Sequence, residues 1–158
     1  MPDLATRAQP TVRRLLSEPK DETEPPVDLY LELGKRLRAI ETNPAVAGSF
    51  DPRIPDLEGL GPVDDLRAFG EKFFPKVSRS SYALVCGKGS ADAADRQRVI
   101  DAFRIGSDAV GAAIAALLVS SLGLAPAIAV VVGALIVKLF LENAYTAGCE
   151  LWEQKLGS

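Results

Sequence analysis

The chain has 158 residues, enough for one domain with a hydrophobic core, and carries a formal net charge of −3 with a sequence pI near 5.1. That acidic balance, without a basic stripe, disfavours nucleic-acid binding. The absence of histidine excludes Ser-His-Asp and Cys-His hydrolysis and His-ligated zinc or haem.

Residues 1–26 are punctuated by Pro2, Pro10, Pro19, Pro25 and Pro26 and hold a charged run at 20–24. They read as a flexible, proline-rich arm. A short helix fits residues 11–17, where Val12, Leu15 and Leu16 fall at helical spacing. Arg13, Arg14, Lys35, Arg36 and Arg38 alternate with acids and read as solvated helix faces. The segment 1–10 has no apolar run of the secretory kind, which places the expected location in the cytoplasm or at the cytoplasmic membrane.

Residues 27–61 are expected to form an amphipathic helix and a connector. Leu29, Leu33, Leu37 and Ile40 make one apolar stripe, Glu32 and Arg36 form an i,i+4 pair, and Asn43-Pro44 ends the helix. Gly34 reads as a tolerated surface glycine, at about 1 kcal/mol against alanine. Residues 45–62 are rich in proline and glycine, with Phe50, Ile54 and Leu57 as candidates to pin them to the core.

Residues 62–158 are expected to be the helical domain proper. A helix over 63–74 turns Val63, Leu66, Phe69 or Gly70, and Phe73 inward, carries Asp64 and Asp65 at its N-terminal end, and stops at Pro75. Residues 80–86 read as an irregular apolar segment packed on helices. Gly87-Lys88-Gly89-Ser90 lacks the glycine spacing of a Walker A loop and reads as a turn, with Ser90 as N-cap and Asp92 in the next helix. That helix is expected to run over 91–122, amphipathic as far as Asp108.

Residues 109–137 contain no charge. Gly123 suits a helix C-terminus and Pro126 a first turn, so the stretch predicts two antiparallel helices, about 91–122 and 126–156. Each apolar half is about 14 residues, near 20 Å at about 1.5 Å per residue, short of the ~30 Å of bilayer hydrocarbon. The small pairs Ala112/Ala116 and Ala129/Gly133 fit close helix packing. Ile114, Leu117, Leu118, Leu122, Ile128, Val131, Leu135 and Ile136 form the candidate surface for membrane or partner insertion. The fold class is therefore all-α: a small helical bundle built around a hydrophobic hairpin, with a proline-rich N-terminal arm.

This pattern is similar to the hydrophobic helical hairpin of pore-forming colicins, wrapped by amphipathic helices, over about thirty residues. The resemblance implies a membrane-active effector whose hairpin inserts when released, with lipid as its partner. The alternative is a soluble assembly subunit that buries the hairpin by self-association or against a larger protein. No cofactor or metal is expected. Asp64/Asp65 and Asp92/Asp95 sit where helix N-termini attract acids anyway. Cys86 and Cys149 read either as one disulfide or as two buried thiols.

Overall fold

A computed structural model describes residues 3–17, 23, 27–52, 54, 60–87 and 93–157. Among these residues the protein is all-α. Its helices are α1 (Leu4–Leu15), α2 (Leu29–Thr42), α3 (Val63–Cys86), α4 (Ala93–Ala102), α5 (Ser107–Leu122), α6 (Pro126–Ile136) and α7 (Tyr145–Leu156). A 3-10 turn, Pro44–Gly48, follows α2, and a π-helical turn, Val137–Leu141, follows α6. The hairpin of α5 and α6 forms the centre. Helix α1 lies along both of its arms, α2 covers α6, α4 covers α5, and α3 joins α2 to α7.

Within the arm the helix runs over Leu4–Leu15, starting earlier than the short helix expected over 11–17. Asp3 caps α1 by accepting from the Thr6 backbone N–H at 2.8 Å, and Ala8, Val12 and Leu15 enter the main core. Pro10 lies inside α1 and Pro75 inside α3. Both prolines are exposed. A proline removes one helical hydrogen bond, and a freed carbonyl on the outer face is hydrated. Helix α3 therefore passes through Pro75, and residues 80–86, expected to be irregular, are its last two turns.

Two further expectations change. The helix expected over 91–122 is interrupted, because Gly106 adopts φ 151°, a conformation in practice confined to glycine, and starts α5 afresh. The helix expected over 126–156 is bent by 98° between the π-helical turn and α7. The turn between the arms follows the sequence reading. Gly123 is left-handed at φ 69°, Leu124 N–H donates to the Leu118 carbonyl at 3.2 Å, and Pro126 opens α6. The turn at 87–90 with its Ser90 cap, together with Asp92 and Leu57, lies outside the described residues apart from Gly87.

Gly34 is buried at a helix crossing and not on the surface. A Cβ there would strike the Leu66 carbonyl, and one on Gly70 would strike the Tyr30 carbonyl. The two glycines let α2 and α3 approach backbone to backbone. Gly34→Ala forces the helices apart, at about 1–3 kcal/mol for overpacking against a propensity gain of about 1 kcal/mol. The expected result is a lower urea midpoint for Gly34→Ala, whereas Gly48→Ala, with open space around the added methyl, leaves it nearly unchanged.

Candidate functional site

The site is the enclosed hairpin. Residues 109–118 of α5 are buried except Ala116, which is half-buried, and α6 is buried at every position from Ala127 to Ile136. Of the candidate insertion residues, Ile114, Leu117, Leu118, Ile128, Val131, Leu135 and Ile136 all lie in the core, and Leu122 is half-buried at the hairpin tip. The chain's own helices thus enclose the arms of the hairpin, leaving its tip half-buried or exposed.

The arms touch through small residues. A Cβ on Gly133 would lie 2.7 Å from the Gly111 carbonyl oxygen and 3.3 Å from the Ala115 amide nitrogen. The α5 side of the crossing is therefore Gly111 and Ala115. Ala112 and Ala116 lie on the side of α5 that lines clefts beneath α1 and α4, while Ala129 is fully buried with Gly133 on α6. Gly111 also admits Val12 of α1, whose Cγ1 would sit 2.6 Å from an added Cβ.

Polar contacts hold the cover at two places. The first is Arg36, read from sequence as a solvated arginine. It is fully buried, and Nη1 donates to the carbonyls of Phe50 (2.7 Å) and Ala127 (3.0 Å) while Nε donates to Glu32 Oε1 (3.0 Å). It ties α2 and the connector to the first turn of α6. Asp51 joins it at 3.4 Å and also pairs with Arg14 of α1 at 2.7 Å. Burial lowers the Arg36 pKa from its usual value, against the opposing influence of Glu32 and Asp51. The spacing did hold a signal, since Arg36 follows Leu29 by seven residues and Leu33 by three, on the same face of the helix.

The second contact is Asp108 in the first turn of α5. It accepts from Gln9 Nε2 and Arg13 Nε of α1, each at 3.1 Å. The Gln9 amide holds its carboxyl below the usual range, with burial opposing and Arg13 assisting. Arg13 is therefore an interhelical ligand and no mere solvated charge.

The far end of the site is the elbow between α6 and α7. Trp152, fully buried, stacks on Phe140 at 5.2 Å between ring centroids and donates from Nε1 to Ser78 Oγ at 2.9 Å. Tyr145 Oη donates to the Val85 carbonyl at 2.7 Å, and Arg96 Nε to the Leu84 carbonyl at 3.1 Å, so side chains cap the last turn of α3. Cys86 and Cys149 are disulfide-bonded across a sequence separation of 63, worth about 4 kcal/mol on the chain-entropy model. Cys86 is thus no thiol nucleophile in this state. Asp64, one of the paired acids, bonds Arg67 at 3.1 Å, and Arg67 in turn bonds Asp28 at 2.6 Å. No single helix among the described residues is long and apolar enough to cross a membrane, while Pro126–Leu141 and Tyr145–Leu156 pass that test only as a pair.

Arg36→Met removes a buried charge and strands Glu32 and two carbonyls, with an expected loss of about 3–5 kcal/mol in chemical denaturation. Asp108 has a lowered folded pKa. Its contribution is therefore present above the unfolded carboxylate value, about 3.9, and is lost as pH falls through the folded value. Asp108→Asn should flatten the stability profile below about pH 4, measured by urea titration at each pH. In comparisons with known proteins, no family model, no curated protein and no solved structure matches this chain.

Proposed function

We propose that this is a non-enzymatic, membrane-active helical protein that stores α5 and α6 inside its own amphipathic helices and inserts them into a bilayer when those helices part, as a pore-forming effector does. The observation that carries this reading is α6, which is buried from Ala127 to Ile136 and has no polar face. Such a surface is satisfied by packed side chains or by lipid hydrocarbon. Its cover is amphipathic, and most of its contact with the hairpin is apolar. Parting α1 from α5 breaks the Asp108 contact and bares a continuous apolar surface. A Cys86–Cys149 bond persists in an oxidising compartment and is opened in a reducing one.

Flotation with mixed phosphatidylcholine and phosphatidylglycerol vesicles tests the reading, with dye release followed in the same sample, and with and without dithiothreitol. The chain is expected to float and release dye in at least one redox state. Recovery as a discrete multimer without lipid in both states would sink the proposal and support an assembly subunit instead. Ala116→Arg sharpens the test. Ala116 lines a cleft with Asp95 and Ser120 where the folded protein has room for the new side chain. An arginine near the bilayer centre costs about 2.5–3.5 kcal/mol. The variant should keep its circular dichroism and lose flotation.

A further inference from the structure

We propose that the Cys86–Cys149 disulfide is a redox latch that keeps the elbow between α6 and α7 bent, and that reducing it lets residues 126–149 straighten into one membrane-spanning helix. The inference rests on the membrane-active reading and names its trigger.

The bend follows the π-helical turn Val137–Leu141, a local weak point of the helix, but no helix-breaking residue fixes its angle. Glu142, Asn143 and Ala144 separate the π-helical turn from α7, and none is proline or glycine. Glu142 is itself helical at φ −66°, ψ −33°, and Ala144 is extended, at φ −152°. The sequence alone reads as a continuous helix here. What holds α7 back against α3 is tertiary: the disulfide, Tyr145 on the Val85 carbonyl and Trp152 on Ser78. Gly148 completes the fold-back, because a Cβ there would strike Leu141 and lie 2.5 Å from the Phe140 carbonyl oxygen. Of these ties only the disulfide is covalent.

Straightening changes the length problem posed by the hairpin. Residues 126–149, as one helix at about 1.5 Å per residue, span about 36 Å, beyond the ~30 Å of hydrocarbon. That stretch contains two charges, Lys138 and Glu142. They stand four apart, so a continuous helix places them on one face as an ion pair. Helices Pro126–Leu141 and Tyr145–Leu156 together have the length and composition of a span, with a 98° bend between them.

The redox step is a dithiol–disulfide exchange. One thiolate of a dithiol reductant attacks a sulfur of the Cys86–Cys149 bond and displaces the other as a thiolate. The second thiol of the reductant then closes its own disulfide and releases the chain. Two electrons and two protons pass to Cys86 and Cys149.

Trp152 is the only tryptophan, lies on α7 and is fully buried, so its emission reports docking of α7. The full chain is compared oxidised and after dithiothreitol, with phosphatidylcholine and phosphatidylglycerol vesicles, circular dichroism and a thiol assay. The expected result is a red shift of Trp152 emission with helicity retained, and flotation confined to the reduced sample. Thr146→Pro provides the second variant. Proline is tolerated in the first turn of α7, but in a continuous helix it removes the bond to the Glu142 carbonyl. This variant should match the wild-type emission when oxidised and fail to float when reduced. Equal flotation of oxidised and reduced chains overturns the latch and leaves the membrane reading standing. A red shift with no flotation in either state overturns the membrane reading and, with it, the spanning helix. Unchanged emission with both thiols free overturns the latch outright.

Discussion

A helix without a polar face must be covered on every side, and α6 imposes that requirement on a chain of 158 residues. Most of the architecture follows from meeting it. The hairpin partner α5 covers one side by approaching closely at Gly111, Ala115 and Gly133. Helix α2 covers another, and it reaches α3 through the glycine crossing at Gly34 and Gly70. The remaining side is closed by α1. A segment that looks dispensable by composition is therefore part of the core, through Ala8, Val12 and Leu15.

Covering an apolar hairpin this completely also buries polar groups that the covering segments bring with them. Arg36 is the main case. Its guanidinium lies beneath the connector, where Phe50 and Ala127 supply carbonyls and Glu32 a carboxylate, so the charge is compensated where it stands. Asp108 plays the corresponding part at the start of α5, where the helix N-terminus favours an acid and α1 supplies Gln9 and Arg13. Both links join the cover to the hairpin at its ends and leave the contact between them almost entirely apolar. Specific polar groups thus orient the covering helices, while nonspecific burial holds them down.

The elbow belongs to a different class of contact. The arms of the hairpin turn at Gly123, where the backbone conformation itself demands the turn. The bend after Leu141 has no such residue and depends on groups from α3, sixty or more positions away along the chain. A turn made by local geometry persists through changes of environment. A bend imposed by distant contacts lasts only as long as those contacts, which ties the shape of α6 and α7 to the state of two cysteines.

The sequence by itself determined the all-α class, the uncharged hairpin and its turn. Those features rest on local quantities: periodicity, the run of apolar residues, and the backbone preferences of Gly123 and Pro126. It also marked the apolar residues of the hairpin, because an apolar surface on all sides is visible in composition. Only the tertiary structure decided what covers that surface. Pro10 and Pro75 remained inside helices because they face solvent, and Arg36 went inward because acceptors from two other segments met it there. Cys86 and Cys149 were joined because α7 folds back on α3. Each of these outcomes depends on groups far apart in the chain, and residue spacing carries no record of such meetings.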